Sequence, residues 1–365
     1  MGKDYSSAMV YTLGQRLREL PGPILLTGHT GFKGTWMTYL LEYLKVPVIG
    51  YSLKAEKDSL FDRIGRHGSI PETFADIRNF EALRQFMSVH RPSVIIHMAA
   101  QPLVIKSYES PRETFDVNVM GTANLLDAAF ESDFVKKIIV VTSDKVYLNT
   151  NSGKRFKESD PLEGKDPYSA SKVGAESVVA AWQQIANVKL GPTVISVRAG
   201  NVIGGGDWAT DRLIPDIIRA VSNSSALSIR SPESVRPWQH VLDPLFGYLL
   251  GAIFLDTSED SKSFNFGPNG NNVTVREVVE ISKKLFGEKL VVVYEEPQKE
   301  VTSNVESLTL NLDSTKSSSL LKFRPKWDQQ EAIERTFLWW EKFLSKKSTP
   351  EELIIAEIKD YFSKN

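Results

Sequence analysis

Alternating strands and helices predict a doubly wound parallel α/β sheet of the Rossmann type, followed by a smaller C-terminal α/β substrate lobe. Two observations carry the prediction. PILLTG (23–28) reads as a buried strand running into a glycine turn, and helical spacing (Trp36, Leu40, Leu41, Leu44) begins just after it. Five further apolar strand-like segments then follow, with helices between them.

In order, residues 8–20 predict a short helix packed on the body, and 33–45 the helix after the turn. VPVIGY (46–51) is the second strand. ETFAD (72–76) precedes a helix at 79–89, and SVIIHMAA (93–100) a helix at 112–131. KIIVVTS (137–143) precedes a helix at 168–187, and PTVISVRAG (192–200) closes the regular part. Gly204, Gly205 and Gly206 mark a loop, after which the alternation loosens. Helices are expected at 212–223, 274–287, 329–345 and 350–362. The division is an N-terminal extension (1–22), a dinucleotide-binding domain (23–200), a substrate lobe interleaved with it (mainly 201–345) and a helical tail (346–365).

Composition narrows the chemistry. The 365 residues are 41% hydrophobic and 24% charged, as in ordinary globular chains. The absence of cysteine excludes disulfides, thiolate metal sites and a cysteine nucleophile. Five scattered histidines argue against a transition-metal site, so no metal is expected. With 44 basic against 45 acidic residues and no long single-sign block, neither nucleic acid nor an anionic membrane surface is an expected partner. No apolar run reaches the roughly 20 residues needed to span a bilayer, and the N-terminus lacks the apolar core of a signal peptide. The expected location is the cytoplasm.

Gly28, Gly31 and Gly34 form G-x-x-G-x-x-G between strand and helix. Glycines permit the tight turn and let the backbone approach a pyrophosphate, and the helix start offers free N–H groups and a positive dipole end. Lys33 within the turn either adds charge near the phosphates or faces solvent. The second strand ends in Tyr51-Ser52-Leu53-Lys54, without the acidic residue that binds a ribose 2′-hydroxyl. NAD and NADP both fit that end. Asp76, followed by Ile77, is placed either to bind the adenine amino group or to cap a helix.

Tyr168 and Lys172 stand four apart on a predicted helix, one turn from each other on one face. A free tyrosine has a pKa near 10. A lysine ammonium and an oxidised nicotinamide favour the phenolate, and lowering the pKa by about three units takes roughly 4 kcal/mol. With Ser143 ending an upstream strand, Tyr168 and Lys172 complete a hydride-transfer triad. The alternative is a chance pair on an ordinary helix.

With these residues in view, the chain resembles the extended short-chain dehydrogenases/reductases, and among them most closely the CDP-glucose 4,6-dehydratases. The stretches that carry the resemblance are TGHTGFKG (27–34), HMAAQPLV (97–104), TFDVNVMGTANLLDA (114–128), TSDKVY (142–147), DPYSASK (166–172), RAGNVIGGGDW (198–208), RLIPDIIRA (212–220) and VRPWQHVLDPLFGYL (235–249). They cover most of residues 24–250.

The resemblance implies NAD, CDP-glucose as substrate and CDP-4-keto-6-deoxyglucose as product, feeding deoxysugars of surface polysaccharide such as the O-antigen of lipopolysaccharide. It implies that Tyr168 takes the 4-hydroxyl proton as C4 gives up hydride. Asp144 and Lys145 are the acid and base of water loss, individually or as one coupled pair. Related dehydratases often carry Asp-Glu there, and Asp-Lys fits the CDP-glucose branch. The cofactor set it implies is Gly28, Thr30, Gly31, Phe32, Lys33, Gly34, Asp76, Ile77, Ala99, Ala100, Gln101, Asn118, Thr142, Tyr168, Lys172 and Arg198. The substrate set is Gln101, Ser107, Asn201, Arg212, Arg236 and His240, with the arginines gripping a diphosphate. Trp238 either borders the nucleotide or packs in the core. The resemblance also implies a homodimer or homotetramer built on the helices near 114–131 and 168–187.

Two other functions compete. A nucleotide-sugar epimerase or reductase keeps Tyr168 and Lys172 but needs no acid–base pair for elimination, and Asp144-Lys145 speaks against it. A non-catalytic dinucleotide-binding regulator has no need of the tyrosine and lysine, which are both present.

Overall fold

The computed structural model describes residues 7–254, 258, 262–295 and 309–363. Seven parallel strands form the central sheet: β1 (Ile24–Thr27), β2 (Val48–Ser52), β3 (Glu72–Phe74), β4 (Val94–His97), β5 (Lys137–Val141), β6 (Thr193–Ala199) and β7 (Ser263–Phe266). Their order is β7-β6-β5-β4-β1-β2-β3. Register is set by pairs such as Ile24 with Val48 and Val94, Lys137 with Val94 and Thr193, and Ser263 with Ser196. The sequences ILLT, VIIH and KIIVV are continuous apolar runs because both sheet faces are covered.

The chain winds outward from β1 to β3, then crosses back to place β4 on the other side of β1. That reversal opens a crevice beyond the carboxyl ends of β1 and β4, where open α/β sheets bind ligands. The glycine turn lies there. The expected strands and helices are present, with ends moved by one to three residues. β7 was not foreseen. It comes from beyond residue 250 and pairs with β6, so the later part of the chain completes the sheet begun by the earlier part.

Helices α1 (Ser7–Arg18), α2 (Phe32–Tyr43) and α3 (Phe80–His90) flank the first half of the sheet. The next helical run, Pro111–Phe115 into Gly121–Phe130, passes through a π turn at Asp116–Met120. We call its second half α4. Helix α5 (Pro167–Lys189) starts with Pro167 at its first position, and the Asp166 carboxylate accepts from the Ser169 N–H at 2.9 Å. That cap fixes Tyr168 in the first turn.

The later helices are α6 (Leu213–Asn223), α7 (Leu242–Ile253), α8 (Val275–Phe286), α9 (Gln329–Leu344) and α10 (Pro350–Phe362). Residues Leu242–Ala252 of α7 are all buried, as expected of a helix enclosed on every side. One core cluster runs from Leu13 through Trp36, Phe246 and Phe266 to Phe362. The terminal helices therefore share the core of the sheet. Among the described residues no helix is long and apolar enough to cross a membrane, and no metal-binding cluster of His, Asp or Glu occurs.

Candidate active site

The glycine turn follows β1 with Gly28 at φ +73°, where an added Cβ would lie 2.8 Å from the Ala99 nitrogen. At Gly34 a Cβ would lie 2.2 Å from the Gly28 carbonyl oxygen. Side chains are thereby excluded on geometric grounds at both positions. Gly31 caps α2 with no side-chain bond, so the first N–H groups of the helix, from Phe32 to Gly34, have no intrahelical acceptor. This bare, dipolar helix start fits a dinucleotide pyrophosphate. The Thr30 hydroxyl bonds Ser52 Oγ at 2.8 Å and the Leu53 carbonyl at 3.0 Å, tying the turn to the end of β2. Ala99 and Ala100 continue β4 beside it, and Ala99 N–H donates to Thr27 Oγ1 at 3.2 Å.

Lys33 points inward. Its ammonium lies 5.8 Å from the Tyr248 ring centre. Burial first, then the charges of Lys172 and Arg212, lower its pKa to about 7, with Asp144 working the other way.

Asp76 is engaged by its own neighbour. Arg78 holds its carboxylate with Nε and Nη2 at 2.7–3.1 Å, and the Arg78 N–H donates to it at 2.8 Å. Ile77 is buried against Gly121 of α4.

Ser143, Asp144, Tyr168 and Lys172 converge beyond β5. Ser143 hydrogen-bonds the Tyr168 side chain, and its hydroxyl donates to Asp144 Oδ1 at 3.2 Å. Asp144 is buried, and its Oδ2 has no partner. Burial raises its pKa to about 6, against the pull of Lys145, the Ser143 hydroxyl and Arg236. This is the direction a carboxylic acid catalyst needs.

Tyr168 is buried beside this group. Burial pushes its pKa up to about 12, and Ser143 and Arg212 offset only part of that. Lys172 directs Nζ to the Val141 carbonyl at 3.2 Å. Burial also draws Lys172 down to about 8, with Glu176, one turn further on, opposing it.

Two residues of the cofactor set lie elsewhere. Arg198 of β6 grips the Glu176 carboxylate with two bonds at 2.8 and 2.9 Å and donates to Tyr147 Oη at 2.8 Å. The Thr142 hydroxyl donates to the same carboxylate at 2.5 Å. Burial would raise Glu176, but Arg198, Thr142 and Ser196 outweigh it and hold the carboxyl below its ordinary value. Arg198 and Thr142 thus brace the helix under Lys172 through Glu176.

Asn118, in the π turn, accepts from Gln101 N–H at 2.8 Å and donates to Gln101 O at 3.1 Å and Ser171 Oγ at 2.9 Å. It joins the segment after β4 to the Tyr-x-x-x-Lys helix. The Gln101 side chain is committed to Thr114 and Leu103, and the Ser107 hydroxyl to the Tyr168 N–H and the Val104 carbonyl. Both were expected on the sugar, and both instead shape the backbone around Tyr168.

Of the diphosphate residues, Arg212 lies 3.1 Å from Asp207 and faces Tyr168 and Lys33, and Arg236 faces Asp144. Asn201 joins β6 to Val202–Ile203, and its carbonyl accepts from Gln239 N–H. His240 corrects another expectation. It is fully buried between Trp36 and Trp327, and burial drops its pKa to about 3, so it packs rather than binds. Trp238 is likewise core, donating Nε1–H to the Val273 carbonyl.

The sequence reading missed Glu176 and Tyr248. Glu176 had a signal, since it continues the i, i+4 row Tyr168–Lys172–Glu176. Tyr248 had none, because it sits in a helix buried on every side, where an aromatic ring reads as packing.

A family model described as GDP-mannose 4,6 dehydratase matches residues 25–336. The chain belongs to that family. Among curated relatives of this family member, the CDP-glucose 4,6-dehydratase of Salmonella typhimurium LT2 is 39% identical over 93% of this chain and 96% of its own length. Two solved structures share the fold. The UDP-glucose 4-epimerase of Thermotoga maritima, solved with UDP-glucose, has a TM-score of 0.76 at 23% identity, over 88% of this chain and 99% of its own. The dTDP-glucose 4,6-dehydratase of Bacillus anthracis, solved with NAD, has 0.73 at 24% identity, over 88% and 97%.

Proposed function

We propose that this protein is an NAD-dependent nucleotide-sugar 4,6-dehydratase that converts CDP-glucose to CDP-4-keto-6-deoxyglucose and water. The observation that carries the reading is Asp144: a buried carboxyl held up at about 6, bonded to Ser143 and followed by Lys145, beside a tyrosine–lysine pair. A hydride-transfer triad alone serves an epimerase equally well. A proton donor poised next to it suits loss of a hydroxyl. The relative at 39% identity carries the name of that activity.

NAD, held at the glycine turn of Gly28, Gly31 and Gly34 and beside Lys172, would supply hydride acceptance at C4 of the hexose and its return at C6. The protein supplies the rest. Tyr168 takes the 4-hydroxyl proton, with Ser143 holding the phenol oxygen. Asp144 gives its proton to the 6-hydroxyl as it departs. Lys145, next to Asp144 in the chain, takes as its neutral amine the C5 proton that the new ketone has acidified. Arg212 and Arg236 receive the diphosphate, and residues 201–345 form most of the nucleotide-sugar lobe.

We further place the protein in the cytoplasm, as a homodimer or homotetramer supplying deoxysugar for surface polysaccharide. Exposed Phe115, Met120, Val188 and Leu190 support association through the runs 111–130 and 167–189, and light scattering reads the assembly directly.

The test is incubation of the purified protein and NAD with CDP-, dTDP-, GDP- and UDP-hexoses, followed by mass. A CDP-glucose product lighter by one water supports the reading. Water loss from another nucleotide sugar keeps the chemistry and replaces the substrate. Products of unchanged mass restore the epimerase.

A further inference from the structure

Tyr248 of α7 is fully buried, its ring edge-to-face with Phe266 at 5.7 Å and the Lys33 ammonium 5.8 Å from its centre. Nothing bonds its hydroxyl. Leaving a buried hydroxyl unpaired costs about 1–3 kcal/mol, which phenylalanine would avoid. Burial and two named neighbours, the Tyr168 phenol and the Asp144 carboxyl, push its ionisation upward, so the group stays a donor.

Asp144 Oδ2 is the complementary case, an acceptor with no partner. The chain comes close to it only because residue 200 is glycine. A Cβ there would stand 3.1 Å from Oδ2 and 2.4 Å from the Pro237 ring. Tyr248 thus offers a buried, unpaired donor whose charge state Asp144 influences, and Asp144, the group assigned to protonate the leaving oxygen, carries a buried, unpaired acceptor. One hydroxyl, which donates and accepts at once, satisfies both.

We propose that Tyr248 is a further substrate-contacting residue, its hydroxyl donating a hydrogen bond to the departing 6-hydroxyl oxygen while Asp144 delivers the proton. The inference rests on the dehydratase reading above. In the step, the C5 proton passes to the base and its bonding pair forms the C5–C6 double bond. The C6–O bond breaks with its electrons on oxygen, which takes the Asp144 proton and leaves as water. Tyr248 keeps its own proton and stabilises charge that builds only as that bond breaks.

The test is Tyr248→Phe in the full chain with NAD and CDP-glucose. Turnover is expected to fall about 100-fold, as on loss of one transition-state donor, with KM within about twofold of wild type. Reduced nicotinamide, followed by its near-ultraviolet absorbance, should build up in the variant because oxidation at C4 outruns elimination. The ligand-free variant should melt at or above the wild-type temperature, since it loses only an unpaired hydroxyl. Wild-type turnover overturns the proposal. So does slow turnover with a lower melting temperature and no build-up of reduced nicotinamide, which would make the role structural. If the wild-type protein removes water from no nucleotide hexose, the dehydratase reading fails and the proposal with it. If the wild type does so and Tyr248→Phe matches it, the proposal alone fails.

Discussion

The backbone N–H of Tyr168 donates to the Ser107 hydroxyl at 3.1 Å, and the same hydroxyl donates to the Val104 carbonyl at 2.6 Å. The short helix after β4 therefore ends against the first turn of α5 and sets the height of the tyrosine above the sheet. Ser107→Ala leaves that N–H unpaired. We expect about 1 kcal/mol of lost stability, the usual cost of a missing cap, and roughly tenfold lower turnover with KM little changed. Denaturant melts and steady-state kinetics on one preparation check both.

Tyr168 needs a second test because its phenol is held up at about 12. Tyr168→Phe should lower turnover by a factor of about 10³, the range of a positioned acid–base group. Dinucleotide affinity, read by calorimetry, should stay within about threefold of wild type, since the glycine turn is untouched.

The Glu176–Arg198 pair lies beneath Lys172 with both side chains almost wholly buried. Removing one partner strands the other charge. Glu176→Ala should cost about 3–5 kcal/mol in unfolding free energy. The double variant Glu176→Met with Arg198→Met should recover much of the loss. A single variant of wild-type stability would mean that the pair does not brace α5.

Much of this was legible in the sequence, and the exceptions share a cause. The strand and helix positions and the glycine turn depend on neighbours within a few residues, so local pattern finds them. Local pattern also placed Ser143, Tyr168 and Lys172 together, and the family resemblance added Asp144. It could not see that Lys172 turns to Val141, that Arg198 has Glu176 for a partner, or that His240 is walled in by Trp36 and Trp327. Each of those contacts joins elements far apart in the chain. β7 escaped for the same reason: its four residues become a strand by pairing with β6.

A buried acid with no assigned part in the reaction, Asp243 of α7, tests the electrostatics by themselves. Asp243 accepts from the Lys326 N–H and the Tyr361 hydroxyl at 2.8 Å each, and burial raises its pKa from 3.8 to about 7. In that window the folded state binds more protons than the unfolded one, so its contribution to stability is lost as pH rises from about 4 to about 7. Asp243→Asn removes this dependence. The melting temperature of the variant relative to wild type should climb across that range and level off above it. A constant difference would show that Asp243 is ionised throughout.

The most direct test of the whole account uses CDP-glucose carrying deuterium at C4, with the protein and unlabelled NAD. The account predicts a product lighter by one water with the deuterium at C6, because the hydride taken from C4 returns within the same turnover. Loss of the label, or a product of unchanged mass, would contradict it.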